Sequence, residues 1–383
     1  MCVDFNDEIL IPKGEVGDFA VIACDQFTAC PEYWKALEAQ LPQCSALDVI
    51  LPECYLDEAD ERIERIKTSA AQMTESGRFN IVRGAVAVTR TTKYGRTRRG
   101  IVASVDLGDY DYKPGSNALI RASERTIEER IPPRVKIREA IGLELPHILL
   151  LVDDRENALM QAIDRSNKSL LYDGDLRGDG GHIKGELIQN ERVLSDAVRS
   201  IIDASVQKFG VELFALVGDG NHSLATAKYC SEHHPTPFNG KALVEIVNIY
   251  DEGLVFEPIH RIVKTDDPAR FIKGFSSAVK GDAETTVYSP EPRTISVPSD
   301  KIDAIKAVDS YCESYVKQHG GSVDYVHGTD ALRADGCVGV EMRGIKKGEL
   351  FDYVLKNGVL PKKTFSLGEA EEKRFYVEAR KIK

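Results

Sequence analysis

The chain has 383 residues, too many for one common domain and enough for two or three. Hydrophobic residues at 42% beside charged residues at 29%, with 30 Gly and 16 Pro, exclude a disordered, collagenous or low-complexity protein. Lys plus Arg is 50 against 61 Asp plus Glu, and the net charge of −11 opposes attraction to nucleic acid or to an anionic membrane, neither of which is an expected partner.

In chain order, residues 19–24 form an apolar run suited to a buried strand, and Pro31 opens an amphipathic stretch to Leu41. A strand is expected over 47–51. Residues 57–77 carry Ile63, Ile66, Ala70 and Met73 at helical spacing, with acids early and Gly77 at the end. Residues 81–92 and 96–107 read as a hairpin turning at Lys93-Tyr94-Gly95. The stretch 123–141 reads as a helix that Pro132-Pro133 must break or kink. An all-apolar strand to Val152, a helix over 156–166, a Gly- and Asp-rich loop over 174–185, a helix over 193–209 and a strand over 212–217 follow. Strands over 242–250 and 254–256 and helices over 268–278 and 301–319 complete the pattern, and the Pro-containing 289–299 reads as a linker. The expected fold class is α/β or α+β, a mixed sheet with flanking helices. The expected division is 1–115 as an α/β domain with a hairpin, 116–265 as a central α/β domain, and 266–383 as a C-terminal subdomain.

The eight cysteines are scattered without a CxxC pair, which reads as reduced thiols. The first residues are acidic where a secretory signal would be basic, and no apolar run approaches a spanning length of about 18 residues, so the cytoplasm is the expected location.

The most informative segment runs Leu213-Phe214-Ala215-Leu216-Val217-Gly218-Asp219-Gly220-Asn221-His222-Ser223-Leu224-Ala225-Thr226-Ala227. An apolar strand enters Gly-Asp-Gly and then a helix, so loop amides and a helix start converge as an anion site. Gly218 and Gly220 let a phosphate approach, Asn221 or Ser223 offers a cap, and His222 offers a phosphate donor or proton relay. Asp219 beside a phosphate requires a metal or the role of a base. The competing structural reading is an Asx-type turn with a surface histidine.

The segment Asp219-Gly220-Asn221-His222-Ser223-Leu224-Ala225-Thr226-Ala227 resembles the Asp-Gly-His-His-Arg-Tyr-x-Thr-Ala hallmark of the bacterial domain-of-unknown-function family numbered 1015. The segments 23–28, 119–126, 180–185, 258–261 and 360–365 resemble further characteristic stretches of that family, so the likeness spans most of the chain. The hallmark is in turn similar to the phosphate loop of the ParB and sulfiredoxin superfamily, which includes nucleotide hydrolases, sulfinic acid reductases and free serine kinases. By that resemblance Asp219, Gly220 and His222 take phosphate and metal roles. Ser223 stands where the hallmark has arginine, so a phosphate-neutralising cation must come from elsewhere.

Arg121, Glu124, Arg125, Arg130, Arg134, Lys136 and Arg138 form the densest basic stretch. Arg121 or Arg125 is the expected replacement cation and Glu124 the expected general base, against a solvated helix face as the alternative. Asp25 occupies a strand-end position. His182 and Lys184 follow a glycine pair, His260-Arg261 could supply a cation, and Lys362-Lys363 is a further phosphate candidate. Cys230 with His233 and His234 resembles half a zinc site that lacks its second ligand pair.

The leading functional expectation is phosphoryl transfer to a small metabolite, using Mg²⁺ and ATP or ADP, with Asp219, His222 and Glu124 catalytic and Asp219 as metal ligand. The alternatives are a non-catalytic regulator that binds a phosphorylated metabolite or nucleotide, and a phosphatase of small phosphoesters. The expected partner is a small-molecule substrate, and a homodimer is compatible with the sequence.

Overall fold

Residues 85–91 read Ala-Val-Ala-Val-Thr-Arg-Thr, and their alternation feeds two cores. Ala85 and Ala87 pack with Ile101, Ala103, Val244 and Ile246 on one face of a sheet. Val86 and Val88 pack with Val102 and Leu243 on the other. A strand buried on both faces needs layers on both sides. Helices Ala158–Arg165, Glu191–Phe209 and Asn221–His233 send Leu159, Leu194, Val198 and Leu224 into the first core. Helices Pro31–Gln40 and Ala59–Glu75 send Trp34, Ile66 and Met73 into the second.

The computed structural model describes every residue except Ala29, Pro290, Ala334 and Asp335, and the backbone but not the side chain of Arg130. It is a mixed α/β protein in two compact units, residues 1–254 with 370–383, and residues 255–369. The first unit holds a ten-stranded mixed sheet in the order Lys168–Asp175, His182–Ile188, Ala85–Thr91, Thr97–Asp106, Lys241–Asn248, Leu149–Val152, Ala215–Asp219, Ile120–Ala122, Tyr110–Asp111, with Val3–Asp4 beside Thr97–Asp106. Strands on either side of residue 115 therefore share one sheet, where the sequence suggests a boundary. The closing segment 370–383 returns to this unit, pairing Phe375–Tyr376 with Val21–Ile22 and Arg380–Lys381 with Leu143–Glu144.

In the second unit, Glu291–Val297, Ala283–Ser289, Cys337–Val340, His260–Lys264 and Ser322–Val326 form an antiparallel sheet in that order. Helices Pro268–Ala278, Lys301–His319 and Leu350–Asn357 accompany it. Among the described residues, no helix is long and apolar enough to cross a membrane.

Four local expectations are corrected. Residues 46–49 form a 3₁₀ turn rather than a strand, because Ser45 and Asp48 close a capping box around it. Most of the loop expected over 174–185 is a hairpin, in which Lys168–Asp175 pairs with His182–Ile188. Pro132 and Pro133 lie in the first turn of helix Ile131–Ile141, where missing N–H groups cost nothing, so they start the helix instead of breaking it. The expected linker carries the strand Glu291–Val297, at the sheet edge where Pro292 is tolerated.

Candidate functional site

Two neighbouring parallel strands deliver the site. Ile120–Ala122 pairs with Ala215–Asp219 in the register Ala122↔Val217, so Glu124 and Asp219 hold corresponding positions two residues beyond the last pair, with Asp219 still paired with Leu149 on its other side. Ligand sites of α/β sheets lie off such strand ends. Two bonds tie the exits together. Ser123 Oγ donates to the Val217 carbonyl, and the Ile127 N–H donates to His222 Nε2 at 3.1 Å.

Gly220 is the N-cap of helix Asn221–His233, with φ at +79°. A Cβ there would lie 2.9 Å from Ile148 Cγ1 and 3.0 Å from Ile148 Cα, so both the backbone angle and the space demand glycine. No side chain caps the helix, contrary to the cap expected from Asn221 or Ser223. The half-buried helix start carries the positive end of the helix dipole, and the Asp219 carboxylate accepts the Gly220 N–H at 2.9 Å just before it. Asn221 Oδ1 and Thr126 Oγ1 are buried at these strand exits without a hydrogen-bond partner among the described residues. Buried polar atoms are ordinarily satisfied, so the loop has bonding capacity that the chain does not use.

The cation at this loop comes from a residue that sequence reasoning missed. Lys373 Nζ lies 2.7 Å from Asp219 Oδ2, with the two side chains 10% and 13% exposed. Burial opposes the Lys373 ammonium, but Asp219, Asp25 and Glu124 outweigh burial and raise its pKa. One buried ammonium thus pairs with Asp219 and lies in the field of Asp25 and Glu124. Its backbone is fixed from both sides. The buried Arg90 guanidinium donates to the carbonyls of Lys373 and, at 2.8 Å, Glu371. Arg374 donates to Glu245 at 2.7 Å, Glu378 at 2.6 Å and the Pro146 carbonyl at 2.6 Å. Burial and the neighbouring Arg98 push the Arg90 pKa down to about 9.

The basic stretch does not supply that cation. Arg121 points back along its strand to the carbonyls of Ala118 (2.8 Å) and Glu212 (3.1 Å), at the end opposite the loop. Arg134 pairs with Glu53, Lys136 with Asp60 and Arg138 with Glu144, while Arg125 is exposed. The side chain of Arg130 lies outside the described residues. Charge density in the sequence was therefore a misleading signal, since three of these six cations answer carboxylates elsewhere in the fold and Arg121 answers carbonyls.

His182 bonds Asp175 at 2.8 Å and Asp173 at 2.7 Å across its own hairpin, and Lys184 pairs with Glu186 at 3.0 Å. Hydrogen bonding to Asp175 raises the His182 pKa against partial burial, with Asp173 adding to the rise. In the second unit, His260 Nδ1 accepts the Met342 N–H, and Arg261 forks onto Asp309 at 2.7 and 2.8 Å while reaching the Lys363 carbonyl at 3.1 Å. Lys362 pairs with Glu313. These are structural contacts with partners close at hand.

Ser223 turns its hydroxyl to His147 Nε2 at 3.2 Å instead of toward the helix amides. His147 Nδ1 meets Tyr376 Oη at 2.9 Å, and Tyr376 Oη donates to Cys24 Sγ at 3.1 Å. Burial, reinforced by Asp25, pushes the Cys24 thiol up to about 12. Burial and Cys24 raise Tyr376 well above its ordinary value, so both groups stay neutral.

Among the described residues, no group of three or more His, Cys, Asp or Glu is placed to hold a metal. Asp219, the expected ligand, is committed to Lys373. The donor set does not fit a protein-held Mg²⁺.

No curated protein matches the sequence. Among solved structures, a free serine kinase variant in complex with ADP has a TM-score of 0.44 at 11% identity, covering 74% of this chain and 92% of that one. Free serine kinase in complex with AMP gives 0.42 at 12% identity, covering 74% and 91%. SbnI from Staphylococcus aureus, with a C-terminal truncation, gives 0.39 at 11%, covering 70% and 82%. Residues 7–321 match the family described as "Protein of unknown function (DUF1015)", and the chain, which carries the Asp-Gly-x-His loop on this strand–helix junction, belongs to that family.

Proposed function

We propose that the protein is a small-molecule phosphotransferase whose donor is a nucleotide, with the donor phosphates at the start of helix Asn221–His233. The observation that carries this reading is Lys373, a buried ammonium on Asp219 with Asp25 and Glu124 in its field, beside an uncapped helix start. Phosphoryl transfer needs cationic and N–H groups to hold developing negative charge, together with a carboxylate to receive the acceptor proton. The likeness of Asp219 to His222 to the ParB and sulfiredoxin phosphate loop points the same way.

In this reading the amides of Asn221 to Ser223 and the Lys373 ammonium bind the phosphates, and Gly220 keeps the approach open. The acceptor oxygen forms a bond to the terminal phosphorus as the bridging P–O bond breaks. The hydroxyl proton passes to Glu124, and the nucleoside diphosphate leaves against Lys373. Asp219 holds Lys373 in place. ATP, ADP and pyrophosphate should each raise the melting temperature, and ³¹P NMR of ATP with a panel of hydroxylated metabolites should show a new phosphomonoester. Unchanged melting with all three ligands would overturn the reading, and binding without turnover would favour a regulator.

A further inference from the structure

Beside the start of helix Asn221–His233, the first unit has a pocket, half open to solvent, of about 140 Å³. Its apolar wall includes Leu51, Ile137, Ile141, Leu145 and Ile148, the last being the residue packed under Gly220. An apolar cavity of roughly 150 Å³ accommodates benzene, which fixes the scale of the occupant.

One part of the wall is polar and ordered. Ser223, His147, Tyr376 and Cys24 all line the pocket and form the hydrogen-bonded row already described. Because Tyr376 gives its proton to Cys24, its oxygen is an acceptor for the His147 Nδ1–H, and Nε2 is left as the acceptor facing Ser223. The charged wall residues cancel pairwise, Arg134 with Glu53 and Arg138 with Glu144. The pocket therefore offers an apolar body site whose charged wall residues are paired, with Ser223 Oγ, its proton given to His147, as an acceptor on the polar wall.

We propose that this pocket binds a small alcohol with an apolar body about the size of a benzene ring or a leucine side chain, its hydroxyl donating to Ser223 Oγ, whose own proton is held by His147 Nε2. The proposal deepens the phosphotransferase reading by naming the acceptor class, and it rests on that reading only for the acceptor role. Ser223 belongs to both the helix start and the pocket wall, so the bound hydroxyl lies next to the place assigned to the donor phosphate. The bonds made and broken are those given above.

The test uses the full chain without nucleotide and follows 4-fluorobenzyl alcohol and 4-fluorotoluene by ¹⁹F NMR titration. The alcohol should bind saturably and roughly three- to tenfold more tightly than the toluene, the contribution of one hydrogen bond. Ser223→Ala, which removes the accepting oxygen and keeps the backbone amide, should abolish that preference. Ile141→Phe and Ile137→Phe, placed on half-buried helix positions that tolerate a larger side chain, should weaken both probes while leaving the ATP-dependent rise in melting temperature intact. Equal affinity for the two probes, absence of saturable binding, or binding untouched by both phenylalanine variants would overturn the proposal. Loss of the ATP effect with alcohol binding intact would overturn the phosphotransferase reading alone.

Discussion

Lys373 and Asp219 stand 154 residues apart in the chain and 2.7 Å apart in the fold. Their pairing makes the strand–loop–helix junction a charged site instead of a plain turn. Lys373→Met would leave the Asp219 carboxylate nearly buried without its partner, at a cost of about 2–4 kcal/mol in urea unfolding. Asp219→Asn in the Lys373→Met background should restore part of that stability, since the unpaired charge is then gone. On the functional side, Lys373→Met should lower pyrophosphate affinity by about tenfold or more, the loss of one charge-assisted contact. Calorimetric titration showing unchanged affinity in a folded Lys373→Met protein would remove Lys373 from the phosphate site.

Gly220 is the second position at which the site restricts the sequence. Gly220→Ala should cost about 1–2 kcal/mol for the left-handed backbone alone, with the overlap against Ile148 added. The adjustment must move the helix start or Ile148, so phosphate ligands should bind more weakly as well. Gly210 provides the control. It lies at φ +72° with no atom near its missing Cβ, so Gly210→Ala should show the backbone cost without the ligand effect. Equal effects on ligand affinity from the two variants would mean that space at Gly220 does not matter.

The sequence made the loop legible because its signals are local: an apolar run, two glycines and a good helix former adjoin within some fifteen residues of chain. Glu124 was named on chemical grounds, since a site of this chemistry needs a carboxylate; its charge acts on Lys373, and its role as base belongs to the proposal. Lys373 was not legible. It lies in Glu371-Glu372-Lys373-Arg374, which looks like a solvated charge run. Only the return of residues 370–383 to the first unit, with Arg90 and Arg374 anchoring the chain, shows it to be buried. His147 and Tyr376 were missed likewise, because a hydrogen-bonded row assembled from residues 24, 147, 223 and 376 has no sequence spacing to detect. Arg121 failed in the opposite sense: its charge was visible, but side-chain direction depends on the carbonyls of Ala118 and Glu212.

His260 gives the second unit a defined pH response. Burial depresses its pKa, partly offset by Glu341, and its unprotonated Nδ1 accepts the Met342 N–H. A histidine with a depressed folded pKa contributes stability that is fully present above its unfolded value of about 6.5 and is lost as pH falls through the folded value. The second unit should therefore weaken on acidification below that point. His260→Asn keeps an acceptor near the Nδ1 position and does not titrate, so it should flatten the acid limb in urea melts at a series of pH values. An acid limb as steep in the variant as in the parent would place its origin elsewhere.

Glu124 is the sharpest point of the functional reading. Its strand runs parallel to that of Asp219, the two residues hold corresponding positions, and its charge acts on Lys373 together with those of Asp219 and Asp25. A carboxylate in that place has two credible roles. As a mere counter-ion of Lys373, its replacement would alter the charge balance and leave the rate of transfer nearly unchanged. As the acceptor of the substrate proton, its replacement should slow turnover by about 10²–10⁴ while nucleotide still binds, because general-base assistance acts in the transition state and not in donor binding. Glu124→Gln keeps the size and removes the charge, so the comparison is clean once a turnover assay exists. The expected result is a fall in kcat with the ATP-induced rise in melting temperature preserved. Asp25→Asn supplies the contrast: a larger fall in kcat there than in Glu124→Gln would transfer the role of base to Asp25, at the end of the strand that pairs with Phe375 and Tyr376.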